Sequence, residues 1–406
     1  MEGMPQWIRG EISRQAHVGL PPGTYEEEHG RSGFYGPASH LYRRHPPTAW
    51  TKAEGPAVHR AYDTNDAADD DASLWPTLLL GNDDCSIGVQ RLAGGKAAFL
   101  RDADGDLLCF VHHGTGVLRT EYGPLAYRPS DYLLLPRGTT FRFEPAAPTH
   151  LLVIEAAGSA FELPDRGLLG RHALFDPAVV EVPEAEAIGE EGEFTVVVKR
   201  LGHDTVVTYP FHPCDVVGWK GDVAPMRLNI DDFRPVSSAR YHLPPSAHTT
   251  FVAGGFVVST FAPRPLEEDP EALRLPFFHR NVDYDEVIFY HRGQFFSRAG
   301  IGEGMLTFHP SGLHHGFQPA AIERDRAAAE AARANGKGER RRMADEHAVM
   351  IDTRGPLVPG FDAHSMEVEG YVRSWSQPAP GARGASASAG AAATGAAATV
   401  AARTDE

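Results

Sequence analysis

Short apolar runs ending at Gly or Pro recur along the chain: DLLCFVHHG, DYLLLPRG, EFTVVVKR, GGFVVSTF and DEVIFYHRG. They are rich in Val, Phe, Tyr and Thr, whose branched or aromatic side chains suit a pleated surface, and they predict the strands of a sandwich or barrel. One stretch reads differently. From Ile322 to about Ala348 the sequence IERDRAAAEAARANGKGERRRMADEHA is dominated by Ala, Glu and Arg, with a break at Gly336 and Gly338, and predicts a helical insertion on the surface. After Trp375 the composition collapses to Ala, Gly and Ser, so residues 377–406 are expected to form a disordered tail with nothing to pack.

With 406 residues, the chain is long enough for two to three units at about 150 residues each. Its 42% hydrophobic and 23% charged residues are those of an ordinary globular protein. No run approaches the roughly 20 apolar residues of a membrane helix, and MEGMPQWIRG lacks the apolar core of a secretory signal, so a cytoplasmic protein without membrane contact is expected. The net charge of -16 has the wrong sign for a polyanion binder and argues against nucleic acid as a partner. Cys85, Cys109 and Cys214 are too few and too scattered for a disulfide framework or a thiolate zinc site. The 20 histidines, by contrast, favour an imidazole metal site, provided their spacing supports one.

That spacing is found in HRNVDYDEVIFYHRG, residues 279–293, followed by GMLTFHPSGLHHG, residues 304–316. The first part fits His-x-(His)-x4-Glu-x6-Gly through His279, Glu286 and Gly293, with Asn281 where a second His could stand. The second fits Gly-x5-Pro-x-Gly-x2-His through Gly304, Pro310, Gly312 and His315. In a straight strand His279 and Glu286 would point to opposite faces, so a bend must intervene, and Asn281 and Asp283 are suitable turn formers. Beyond the bend, Glu286, Ile288 and Tyr290 share one face. Two neutral imidazoles and one carboxylate make a facial triad with open positions, the set associated with non-heme Fe(II) oxygenases, with zinc as the competing metal.

The same template can be laid on the N-terminal half, where Pro136 and Gly138 match with Ser130 in place of the first Gly, but Leu100, Leu107 and Phe141 occupy the three ligand positions. Both motif pairs resemble those of the cupin β-barrel. The implied architecture is all-β, two cupin-like jelly-roll barrels with a short helical insertion in the C-terminal half: residues 1–205 as a barrel without metal ligands and residues 206–376 as the metal-binding barrel.

The chain further resembles the homogentisate 1,2-dioxygenase family over most of residues 20 to 376. The resemblance is carried by EEEHGRSGFYGPASHLYRRHPPTAW near the N-terminus, CDVVGWKGD at 214–222, HRN at 279–281 and HPSGLHHG at 309–316. It implies one Fe(II) per chain held by His279, Glu286 and His315, with His309 nearby as a non-ligand histidine. It implies a small aromatic acid and O2 as substrates, opening of the homogentisate ring to maleylacetoacetate in tyrosine and phenylalanine breakdown, and a homo-oligomer of trimers paired into hexamers.

Three family positions differ. A histidine base follows the Trp of the VV-x-W segment in the mammalian branch, whereas Lys220 follows Trp219 here. Lys220 is therefore either a base of lowered pKa or a surface group paired with Asp215 or Asp222. A substrate-contacting tyrosine is replaced by Phe295, and Phe317 stands where the family favours Pro. His309 either donates a proton or orients dioxygen, or is a structural hydrogen-bonder beside the turn. Asn281, Tyr290, Arg298, Phe295 and His315 are the candidate substrate contacts, Arg298 through its bidentate fork. The rival readings are a dioxygenase for another diphenolic acid such as gentisate, a zinc or manganese cupin isomerase, and a binding protein.

Overall fold

The computed structural model describes residues 7–68, 73–269, 271–272, 277–295, 298, 300–318 and 343–375. Among these, the only helical elements are single 3-10 turns, and strands carry the fold. A seven-stranded sheet runs in the order Met226–Asn229, Asp131–Leu135, Gly105–His113, Thr149–Ala157, Cys85–Leu92, Thr77–Gly81, Val358–Pro359. A six-stranded sheet, ordered His203–Phe211, Glu191–Arg200, Phe99–Asp102, Thr140–Pro145, Gly116–Thr120, Gly123–Tyr127, completes the N-terminal barrel. The C-terminal barrel has a six-stranded sheet ordered Thr249–Ala253, Phe256–Phe261, Glu346–Thr353, Asp285–Gly293, Met305–His309, Arg60–Asp63. A three-stranded sheet, Phe278–Asn281, Tyr25–Gly30, Ala38–Arg43, carries His279.

Period-two alternation explains why the central strands are apolar on both faces. In the strand Gly105–His113, Leu108 and Phe110 join a core shared with Val258, Val287, Phe289, Val349 and Ile351 of the second barrel. The alternate residues Leu107, Cys109 and Val111 fill the N-terminal barrel. Leu100 and Phe141 pack in that same inner cluster, so all three ligand-equivalent positions of the first half are buried apolar contacts. The two barrels thus stand back to back.

Sheet membership crosses the 205/206 boundary in both directions. Arg60–Asp63 pairs antiparallel with the His309 strand, and Met226–Asn229 pairs with Asp131–Leu135. Each addition covers a strand edge that would otherwise present unpaired backbone groups. The interface also holds a buried polar set: His112 Nδ1 lies 2.9 Å from His291 Nδ1, and His291 Nε2 lies 2.9 Å from Ser130 Oγ. Burial pushes His112 down to about 2 and His291 to about 3, so both rings are neutral.

The helical reading of residues 322–348 is corrected at its end: Met343–Ala344 and Glu346–Thr353 are strands. The run HAVMIDT carries Val, Ile and Thr, which favour the pleated surface, and it pairs with both Phe256–Phe261 and Asp285–Gly293. Residues 322–342 and the tail 377–406 lie outside the described residues.

Candidate metal centre

The expected bend separates His279 and Glu286 into different sheets. Residues 282–284 link the strand Phe278–Asn281 to the strand Asp285–Gly293, and the Asp283 carboxylate fixes the turn by accepting from Arg31 Nε and Ser32 N, each at 2.8 Å. His279 then pairs with His315 rather than with its own sequence neighbours. His279 N donates to His315 O at 2.9 Å and His315 N donates to His279 O at 3.1 Å. Gly316 follows because a Cβ there would stand 3.1 Å from Phe278 Cα, and its φ of +154° lies in the region glycine favours.

The three side chains converge. His279 Nε2 is 3.6 Å from Glu286 Oε2, and His315 Nε2 is 3.4 Å from Glu286 Oε1. Donors bound at 2.0–2.2 Å to one ion stand about 3.0–3.5 Å apart, so these separations are those of ligands around a shared metal. Each imidazole is oriented by a backbone carbonyl two residues back: His279 Nδ1 donates to Phe277 O at 3.4 Å and His315 Nδ1 to Leu313 O at 3.3 Å. That fixes the tautomer and leaves each Nε2 with a free lone pair, and both Nε2 atoms are buried without a hydrogen-bond partner. Two orphaned nitrogens beside a buried carboxylate fit a divalent metal ion.

Burial alone would raise the Glu286 carboxyl, but the imidazoles of His315, His279 and His309 hold it well below the usual carboxylate range. Burial pushes His315 down to about 4, with His279 adding to the effect, so the ligand enters neutral. His309 sits behind the site. Its Nδ1 donates to Glu286 Oε1 at 2.8 Å, while its Nε2 faces the Tyr371 hydroxyl at 3.3 Å.

Glu286, Ile288 and Tyr290 do share one face, and it lines a cavity of about 170 Å³. Phe277, Phe317 and Met350 make much of its wall apolar, and Arg298, His242 and His248 add polar groups. Arg298 is buried and donates through Nη1 to Gly316 O at 2.7 Å, its guanidinium 5.6 Å from the Trp375 ring centre. Tyr290 Oη is 3.3 Å from Thr307 Oγ1. Asn281 pairs through its backbone with Gly30; its side chain lies outside the described residues.

Two other candidates stand apart from the cavity. Phe295 is half-buried with its ring 4.9 Å from that of Tyr290, which lines the cavity. Lys220 is exposed in the loop after His203–Phe211, where its neighbour Trp219 packs against Tyr122 of the N-terminal barrel at 5.6 Å. Among the described residues it pairs with neither Asp215 nor Asp222. His314 turns to Glu27 rather than Glu286, its Nε2 2.8 Å from Glu27 Oε1.

Sequence spacing gave no sign of His59, Tyr371 or Trp375. His59 is buried with its ring 5.2 Å from His309 and 5.8 Å from His315, and its Nε2 donates to the His314 carbonyl at 2.9 Å. Trp375 closes this layer, 4.8 Å from His59. Asp352, opposite Glu286 in register, is pushed well above the usual carboxyl range by its burial and by that neighbour.

A homogentisate 1,2-dioxygenase N-terminal family profile matches residues 93–230. A Saccharolobus solfataricus protein provisionally named a dioxygenase is 32% identical over 390 residues, covering 90% of this chain and 98% of its own. The homogentisate 1,2-dioxygenase of Sinorhizobium fredii is 28% identical over 68% of this chain, a match that spans 62% of the longer relative. Among solved structures, a cupin 2 conserved barrel domain protein from Leptotrichia buccalis aligns at a TM-score of 0.35 and 11% identity over 75% of this chain and all of its own. The relationship at 32% identity over 90% of this chain, joined to the family profile and the homogentisate dioxygenase matched at 28%, establishes that this chain belongs to the homogentisate 1,2-dioxygenase family.

Proposed function

We propose that the protein is an Fe(II)-dependent dioxygenase that opens the ring of a diphenolic acid, with homogentisate as the leading substrate and maleylacetoacetate as the product. The observation that carries this reading is the pair of orphaned Nε2 atoms, on His279 and His315, that face Glu286 beside a largely apolar cavity. An iron ion held by these three residues would supply open positions at which a phenolic oxygen and O2 are brought together.

The chain's own residues supply the rest. Ile288, Phe277, Phe317 and Met350 exclude water and flank a planar ring. His309 holds Glu286 in place through its Nδ1 proton. His242 and His248 line the cavity as neutral imidazoles, pushed by burial to about 4 and about 3, and can accept a hydrogen bond from a phenolic hydroxyl. The exposed position of Lys220 and the phenyl ring at Phe295 support a second reading, the same chemistry on another diphenolic acid such as gentisate.

Anaerobic reconstitution with Fe(II), followed by O2 uptake with homogentisate, tests both. Stoichiometric uptake with a ring-opened diketo acid supports the first reading. Iron binding without turnover of homogentisate, with turnover in a panel of diphenolic acids, selects the second. No uptake with any of them defeats both.

Assembly into trimers and hexamers is proposed on the same likeness. The exposed apolar side chains Val206, Phe211, Val217 and Val223 support an interface there, and solution sizing tests it. A cytoplasmic location is likewise a proposal; no helix among the described residues is long and apolar enough to cross a membrane.

A further inference from the structure

The three-stranded sheet that carries His279 also brings together residues that the proposed reaction does not use. In the strand Tyr25–Gly30, Glu26 and Glu28 point to one face and Glu27 to the other, where it meets Arg43 and His314. Glu28 is cross-strand partner to His40 on one side and stands in register with His279 on the other. His17 reaches the same face from a tight turn closed by reciprocal backbone bonds between Gln15 and Val18.

We propose that His17, His40 and Glu28 form a second metal site, distinct from His279, Glu286 and His315, that binds a divalent ion of the zinc class. One donor atom from each residue lies within 4.8 Å of the others. His40 Nε2 is 3.1 Å from Glu28 Oε2, within the range for two ligands of one ion. His17 Nδ1 donates to Glu26 Oε2 at 2.7 Å, which leaves its Nε2 lone pair for a metal. This is the carboxylate–histidine arrangement that orients metal ligands. The Glu26 side chain is fully buried, so the brace is rigid.

Two further observations point to an ion. His17 sits at a φ of +62°, a conformation that a turn position ordinarily gives to Gly or Asn, yet its ring is buried and stacked on Phe277 at 4.3 Å. Beyond it, His242 stands edge-on to His17 at 5.2 Å, and Glu267, with a side chain only 7% exposed, turns Oε1 toward His242 at 3.7 Å without a hydrogen-bond partner. Glu26, Glu28 and Glu267 thus gather around His17, His40 and His242 on one face, a nitrogen and oxygen donor set suited to a divalent cation. The ion would tie the N-terminal hairpin to the strand that presents His279.

The Asp102, Asp104 and Glu155 group differs in this respect, because Lys199 Nζ already meets Asp102 at 2.6 Å and Glu155 at 2.8 Å.

The test uses the full chain, stripped with chelator and reloaded with zinc(II), with bound metal measured per chain. Two equivalents are expected for the unmodified protein, one for Glu286→Ala, one for His17→Ala/His40→Gln, and none for the combined variant. A single equivalent that Glu286→Ala removes completely overturns the proposal, as does a value of two that the His17 and His40 changes leave untouched. If those changes prevent folding, cobalt(II) added to the Glu286→Ala protein decides, since the second site is then intact. One equivalent with tetrahedral absorption bands supports the site, and no bound cobalt overturns it.

Discussion

His279 and His315 exchange both of their backbone hydrogen bonds, at 2.9 and 3.1 Å, so two candidate ligands far apart in sequence are clamped through the main chain. Their side chains need only the rotamers fixed by Phe277 O and Leu313 O to present both Nε2 atoms to Glu286. This is a preorganised site, in which little ordering remains for the ion to do.

Replacing the carboxylate should therefore leave the scaffold intact. Glu286→Ala is expected to fold, because it removes a buried charge without opening the backbone pairing, and to lose the ion at this site together with turnover. Circular dichroism with metal analysis and O2 uptake checks it. Full activity in that variant would sink the site assignment.

His309 acts through Glu286. His309→Phe removes the proton donated to Glu286 Oε1 while keeping much of the ring's packing, and should weaken metal affinity about 10–100-fold. A chelator-competition titration measures the shift; unchanged affinity would show that the 2.8 Å contact does not support the ligand.

Acid should destabilise the barrel interface early. His112, His150 and His291 are pushed by burial to about 2, about 3 and about 3 in the folded protein. Once unfolded, they titrate near the ordinary value of about 6.5. The unfolded chain then binds more protons at any pH between these limits, so stability falls as pH drops below about 6.5. Between pH 7 and pH 5 the loss should be roughly 1–2 kcal/mol per histidine. Urea unfolding at the two pH values reads it, and flat stability across that window would contradict the buried neutral state.

The N-terminal barrel should behave as scaffold. Leu107 is buried in its apolar interior, so Leu107→Ala should destabilise the fold by about 2–5 kcal/mol. Metal content of the folded fraction should not change. A denaturation curve with metal analysis tests both halves, and loss of one equivalent of metal without loss of stability would assign this barrel a binding role.

The candidate ligand set was legible because a strand's reach is short and periodic. In the order His279, Glu286, Gly304, Pro310, Gly312, His315, the spacing specifies two neighbouring hairpins, and hairpins place their residues by local geometry. The apolar substitutes Leu100, Leu107 and Phe141 were legible for the same reason. Lys220 was proposed by family likeness, and no spacing rule says where a long loop comes to rest; it is exposed, next in sequence to Trp219, whose ring packs on Tyr122. The helical reading ran too far because Ala, Glu and Arg precede HAVMIDT directly, and strand pairing on both sides claims that segment.

By itself, then, the sequence determined an all-β chain, and it set a half with apolar residues at the candidate ligand positions apart from one with His and Glu there. These follow from alternation, turn residues and short-range spacing. Only the tertiary structure decided that His59, Tyr371 and Trp375 stand behind His309, that Arg60–Asp63 completes the C-terminal sheet, and that His17 and His40 meet Glu28. Those contacts join segments distant in the chain, and what brings them together is the burial of apolar faces and the pairing of exposed strand edges, neither of which leaves a local mark.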